Sequence, residues 1–134
     1  MRGLDTNILV RSLTDDDPNQ SPKAKRFLEA AAENGDRLYV STVVLIELCW
    51  TLRSSPYRYN REAIADVVTT LLQTHLFEVQ DRDLARSAVA DYRSGGGDLP
   101  DYLIGWQNRR AGCQDTVTFD RTIAKTSGFT LLSA

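Results

Sequence analysis

Met1-Arg2-Gly3-Leu4-Asp5-Thr6-Asn7-Ile8-Leu9-Val10 opens the chain, and its reading decides the fold. Gly3-Leu4 begins a short buried strand, after which Ile8, Leu9 and Leu13 recur at helical spacing with Arg11 between them. Asp5 therefore falls where a strand hands over to a helix. In open α/β sheets, ligands bind just beyond the carboxyl ends of the strands. Asp5 is thus either a binding group or a local Asx turn or cap, and Thr6 or Asn7 is expected to cap the helix that follows. Three later segments carry an acid at a comparable place: Glu47, Asp101 and Asp120.

Outward from this stretch, the same alternation continues. Asp15-Asp16-Asp17-Pro18-Asn19 reads as a solvated loop, since three like charges before a proline do not continue a helix. Ser21 is the expected N-cap of the next helix, with Pro22 in its first turn and Asn34-Gly35 ending it. Leu38-Tyr39-Val40 is a strand. Ser41-Thr42 then caps a helix, Val43 to Leu52, that is apolar almost all round and so expected to be buried. Glu47 lies inside that helix. A carboxylate there needs a cation, a strong set of hydrogen bonds or a proton, and a salt bridge to Arg11 or Arg53 is the simplest structural answer.

Arg53 to Asn60 is a polar connection with two tyrosines, suited either to stacking on single-stranded RNA or to simple packing against the surface. A helix through Ala63 and Leu72 leads past His75, the single histidine, to the strand Phe77-Glu78-Val79. His75 reads as a helix-terminal residue, because nothing nearby completes a nucleophilic set. Asp81 opens a helix to about Tyr92. Gly95-Gly96-Gly97 then reads as a flexible approach to Asp98-Leu99-Pro100-Asp101. Pro100 belongs to the first turn of the helix ending near Arg110, which puts Asp101 where the helix dipole favours negative charge. Asp98 is either the cap of that helix or a metal-facing acid. Thr116 to Phe119 is a strand followed directly by Asp120, which can cap a helix Arg121 to Lys125. Phe129 to Leu132 is the last strand. Strands and helices alternating with short links imply a mainly parallel sheet covered on both faces, a three-layer α/β/α sandwich forming one domain over residues 1–134.

Composition narrows the function. The chain has 134 residues, 42% hydrophobic and 25% charged, with no apolar run near the length of a membrane span. Asp5 interrupts any signal-peptide layout, so the expected compartment is the cytoplasm. Cys49 and Cys113 lack metal-ligand spacing and are expected to be reduced core residues. The net charge of −2 does not suit tight coating of nucleic acid. Yet with Asp5, Glu47, Asp101 and Asp120 set aside, the 18 acids fall to 14 against 16 Lys plus Arg. Carboxylates held close together must share a proton or a cation. Acids from separate elements, without His or Cys, describe a hard oxygen site suited to Mg²⁺ or Mn²⁺. The chemistry of such a site is water activation and stabilisation of phosphoryl oxygens.

The ordered set Leu4-Asp5-Thr6-Asn7, Val44-Leu45-Ile46-Glu47-Leu48, Asp98-Leu99-Pro100-Asp101-Tyr102-Leu103-Ile104-Gly105 and Thr118-Phe119-Asp120 resembles the PIN-domain ribonucleases, in particular the VapC-type toxins of bacterial toxin–antitoxin pairs. The resemblance implies an α/β/α sandwich that binds Mg²⁺ or Mn²⁺ and cuts RNA, a homodimer, and a cognate antitoxin. It also implies site residues. Asp5, Glu47, Asp101 and Asp120 match the family's acidic positions as catalytic residues, and Asp5, Asp98, Asp101 and Asp120 are the expected metal ligands. Asn7 and Thr118 match polar positions beside them. Two departures stand out: Tyr102 replaces a small residue beside the third acid, where it would narrow the cleft or stack on a base, and Gly95-Gly96-Gly97 is looser than usual.

The expected function is therefore a metal-dependent endoribonuclease acting on single-stranded or structured RNA by metal-activated water, the toxin of such a pair, with no membrane association. Two rivals are a non-catalytic PIN-like binding module and a receiver-type phosphoacceptor domain. The receiver would want two adjacent acids after the first strand, where this chain offers one.

Overall fold

The computed structural model describes residues 1–132. They form two compact units that divide after Arg82, and each is described by itself.

The first unit contains β1 (Arg2–Gly3), α1 (Thr6–Thr14), α2 (Gln20–Glu33), β2 (Leu38–Val40), α3 (Thr42–Arg53), α4 (Arg61–Gln73) and β3 (Phe77–Val79). Its strands pair in the order β1-β2-β3, all parallel, with Gly3 opposite Tyr39 and Val40 opposite Val79. Leu38, Val40, Phe77 and Val79 are buried, each strand alternating with a half-buried residue between. Leu9 and Val10 of α1 are buried, and that helix packs against α2 and α3. Leu45, Leu48, Cys49 and Leu52 of α3, with Ile64, Val68 and Leu72 of α4, complete the core. Burying one such leucine stabilises the fold by about 1.5–3 kcal/mol.

Three local expectations change here. The cap of α1 is Asp5 itself, not Thr6 or Asn7: its extended backbone precedes the helix and its Oδ1 accepts from the Thr6 amide at 2.8 Å. Ser21 is not the cap of α2. The Asp17 carboxylate takes the Asn19 and Gln20 amides, at 2.9 and 2.7 Å, so the helix starts at Gln20 and Ser21 is buried inside it. Helix α3 is not buried all round. Val43, Glu47 and Trp50, at i, i+4 and i+7, form an exposed stripe, with Val43 67% and Trp50 59% accessible.

The acidic loop before α2 is tied down. Asp15 pairs with Lys25 at 3.0 Å and Asp16 with Arg11 at 3.1 Å, while the Tyr57 hydroxyl donates to Asp16 Oδ2. Tyr57 and Tyr59 are half-buried, as simple packing requires. The hydrogen bonds from Tyr57 and Thr14, with the Arg11 guanidinium, hold the Asp16 carboxyl well below its ordinary value of 3.8, at about 2. The Gln20 and Asn19 amides lower Asp17 in the same sense.

The second unit contains α5 (Arg82–Ser94, its first residue excepted), α6 (Leu99–Arg110), β4 (Thr116–Thr118), a 3₁₀ turn (Ile123–Lys125) and β5 (Phe129–Leu131). Strands β4 and β5 are parallel, Val117 opposite Thr130. The core is Leu84, Ala88, Val89, Tyr92, Leu99, Tyr102, Leu103 and Ile123. The helix expected over 121–125 is only the 3₁₀ turn. Cys49 is a core residue as expected, but Cys113 is exposed, just past the glycine that ends α6. Among the described residues no helix is long and apolar enough to cross a membrane.

Candidate metal centre

The first unit supplies Asp5 and Glu47. Asp5 is exposed at the end of the Leu4 segment, where capping fixes its Oδ1. Glu47 is exposed on α3, contrary to the burial expected of it. Its Oε1 accepts from the Thr6 hydroxyl at 2.8 Å, so neither Arg11 nor Arg53 is needed to hold it. Thr6 is 7% accessible and comes directly after Asp5. It fastens to Asp5 through its amide and, across 41 positions of sequence, to Glu47 through its hydroxyl, coupling the two acids. Sequence reasoning assigned Thr6 only a capping role. The available signal was a hydroxyl residue immediately after the first acid.

The second unit supplies Asp98, Asp101 and Asp120. Asp98 is the N-cap of α6 and forms a capping box with Asp101, whose Oδ2 accepts from the Asp98 amide at 2.9 Å. Pro100 sits in the first turn, where its missing amide costs nothing. Asp120 is held at a turn: its Oδ1 accepts from Thr122 and Ile123 amides at 2.8 and 3.3 Å, and its own amide donates to Thr118 Oγ1 at 3.0 Å. Thr118 thus ties down the backbone at Asp120. Asn7 is exposed.

The two departures noted in the sequence resolve differently from expectation. Tyr102 borders a cavity of the second unit but offers no open ring to a base. It is 2% accessible, lies edge-on to Tyr92 at 6.3 Å, and donates its hydroxyl to the Gly96 carbonyl. The three glycines are packed rather than loose: a Cβ at Gly96 would come within 2.5 Å of Thr122 Cγ2.

Electrostatically the acids share one condition. Asp5, Glu47, Asp101 and Asp120 each have one carboxylate oxygen held by protein donors. Among the described residues, none has an ion pair to a Lys, Arg or His. That leaves each with a second, hard oxygen for a cation, a donor chemistry that fits Mg²⁺ or Mn²⁺ and not a thiolate- or imidazole-seeking metal. Neither unit by itself, among the described residues, gathers three His, Cys, Asp or Glu side chains into a metal-holding group. His75 is exposed in the turn after α4. A cavity of about 630 Å³ in the second unit is lined by Asp91, Trp106, Arg109, Cys113 and Phe129 among others, and none of the candidate acids borders it.

The model of the PIN domain matches residues 4–128, across both units. The chain is also 30% identical over 125 residues to the VapC ribonuclease of Aquifex aeolicus (strain VF5), covering 93% of this chain and 91% of that protein. The α/β sandwich expected from the alternation of strands and helices is the fold of this family. With Asp5 at the head of the match and Asp120 near its end, the chain belongs to the PIN-domain family.

Proposed function

We propose that this chain is a Mg²⁺- or Mn²⁺-dependent endoribonuclease, the toxin of a toxin–antitoxin pair, with residues 1–134 acting as one nuclease domain. The observation that carries the reading is the shared state of Asp5, Glu47, Asp101 and Asp120: one oxygen held by the protein, one left over, and, among the described residues, no Lys, Arg or His counter-ion. Kinship with a protein named a ribonuclease supports the substrate class.

In this reading Asp5, Asp101 and Asp120 hold the ion, joined by Asp98, which also caps α6. Glu47, exposed on α3, binds the ion or orients the attacking water. Thr6 keeps Glu47 in one rotamer, and Thr118 keeps the Asp120 turn closed. When bound, the ion acidifies water and neutralises charge on the phosphoryl oxygens. The substrate is single-stranded or structured RNA. The exposed Val43 and Trp50 of α3 support a homodimer, since apolar residues grouped on one face of a helix mark interfaces. A cognate antitoxin and a cytoplasmic location complete the reading.

The test is cleavage of a labelled single-stranded RNA by purified protein with Mg²⁺, with Mn²⁺ and with EDTA. Metal-dependent cleavage that disappears in Asp5→Asn supports the proposal. Binding of RNA without cleavage under every metal condition would leave the non-catalytic module as the better description.

A further inference from the structure

Tyr102 directly follows Asp101 in α6, and its ring is locked in the core of the second unit. Its hydroxyl donates to the Gly96 carbonyl. A Cβ on Gly95 would fall inside contact distance of that hydroxyl, so the ring can reach its partner only because position 95 has no side chain. Two residues on, Gly97 has φ +77°, a left-handed backbone that other residues adopt at a cost. A Cβ there would lie 3.3 Å from Asp101 Oδ2 and 3.0 Å from Ile123 Cδ1. The backbone then delivers the Asp98 amide to that same Asp101 oxygen.

The other side of the glycine segment faces the Asp120 turn. Gly96 lies against Thr122 and Gly97 against Ile123, the two residues whose amides hold Asp120 Oδ1. Tyr102 and the glycines are therefore matched to one another, and between them they touch the groups that orient both acids.

We infer that the Tyr102 hydroxyl and Gly95-Gly96-Gly97 form one positioning device that holds the carboxylates of Asp101 and Asp120 in their metal-binding rotamers. The inference rests on the nuclease reading for what the acids do, and on the geometry alone for how they are held. Tyr102 and the glycines are positioning residues, because none of them supplies a ligand. A purely structural tyrosine would also place its hydroxyl on a buried carbonyl. The difference is that its loss would then leave the acids' behaviour unchanged.

The test compares Tyr102→Phe and Gly97→Ala with wild type, and uses Gly112→Ala as a control. Gly112 has φ +95° with nothing within 4 Å of a Cβ, so that variant has the backbone strain without the contact. In metal-free protein, hydrogen exchange of the Asp98, Thr122 and Ile123 amides should quicken about tenfold in Tyr102→Phe. Mn²⁺ affinity, read by calorimetry, should fall about tenfold in Tyr102→Phe and Gly97→Ala, the size of effect seen when a group orienting a metal ligand is removed. kcat should fall with it while KM for RNA holds, and Gly112→Ala should keep wild-type Mn²⁺ affinity. Unchanged exchange in Tyr102→Phe overturns the device. Faster exchange with unchanged Mn²⁺ affinity overturns its positioning role. Should Tyr102→Phe not fold, equal Mn²⁺ affinity in Gly97→Ala and Gly112→Ala overturns it as well. A wild-type protein that neither binds Mn²⁺ nor cuts RNA defeats the nuclease reading instead, a separate outcome, and the exchange data then decide the positioning device alone.

Discussion

The Thr6 hydroxyl donates to Glu47 Oε1 at 2.8 Å, so the first residue of α1 sets the orientation of an acid on α3. Thr6 is buried and Glu47 exposed, which makes the pair a support for the carboxylate more than a source of stability. Thr6→Val should cost no more than about 1 kcal/mol in chemical denaturation, because Glu47 can turn to water once released. Cleavage should fall about 10- to 100-fold, as when groups that orient catalytic carboxylates are lost. Glu47→Gln is the complement: its amide oxygen still accepts from Thr6, so the fold holds while cleavage is lost. Thr6→Val at the wild-type rate would remove Thr6 from the site.

Asp5→Asn, Asp101→Asn and Asp120→Asn should each lower cleavage by more than about a hundredfold, beyond the range for groups that only orient a ligand. Each asparagine keeps the oxygen that accepts the local amide, at Thr6, Asp98 or Thr122. Asn is as good a cap as Asp, so melting temperatures should hold or rise, relief of carboxylate repulsion favouring the metal-free variant. A variant that folds and cuts normally would strike that acid from the set.

Mg²⁺ or Mn²⁺ should raise the melting temperature, because the ion binds the folded acids alone. At a hundredfold excess over Kd the gain is about 2.7 kcal/mol, or roughly 10 °C for a chain this long. Asp5→Asn should lose most of it. A shift that survives in Asp5→Asn would point to the Asp15–Asp17 loop, although Asp15 and Asp16 already have Lys25 and Arg11 as partners.

That loop predicts a separate pH dependence. The Tyr57 hydrogen bond, first among its causes, depresses Asp16 to about 2 in the folded protein against 3.8 ordinarily. A carboxyl lowered on folding stabilises the native state above its unfolded value and loses that contribution as pH falls through the folded one. Tyr57→Phe should therefore melt below wild type at pH 7. The gap should narrow between pH 3.8 and about 2. A gap that stays constant across that window would mean Tyr57 acts through packing, not through Asp16.

Much of this was legible in the sequence, and the exceptions have physical causes. Leu38–Val40 and Phe77–Val79 fall where short apolar runs between turns put them, since a buried parallel strand leaves that pattern directly. Asp101 in the first turn of α6 followed from Pro100, which fits almost nowhere else. The exposure of Glu47 was hidden because Val43 and Trp50 share its stripe. A helix whose outer face is also apolar shows no amphipathic period. The Thr6–Glu47 bond was invisible because it joins residues 41 apart. Ser21 loses the capping role because Asp17, upstream, takes the Asn19 and Gln20 amides and the helix starts before Ser21. The depth of Tyr102 is not visible from its size: a large side chain beside an acid suggests a ring open to a cleft or a base, whereas this one borders a cavity at only 2% accessibility. The three glycines just before it instead leave space for the ring to turn inward.

The cleavage products should have 5′-phosphate and 3′-hydroxyl ends. Ribonucleases that work without metal commonly use an acid and a base titrating near neutrality, for which histidine is the natural choice. This chain has one histidine, His75, exposed in a turn after α4 and far in sequence from every acidic motif. It lacks the pair that would drive the 2′-hydroxyl onto its own phosphate. The acids Asp5, Glu47, Asp101 and Asp120 suit attack by water instead. In that step a water oxygen bonds to phosphorus in line with the 3′-oxygen, the bond to the 3′-oxygen breaks, and that oxygen takes up a proton. The upstream fragment ends in a 3′-hydroxyl and the downstream fragment begins with the phosphate. A 3′-labelled oligonucleotide should therefore yield labelled downstream fragments that a 5′-phosphate-dependent exonuclease degrades, and EDTA should prevent the cut. Cleavage that persists in EDTA, or upstream fragments ending in 2′,3′-cyclic phosphate, would overturn the water mechanism. The search for a base would then turn to His75, because Tyr102, which adjoins the third acid, is committed to the Gly96 carbonyl inside the core.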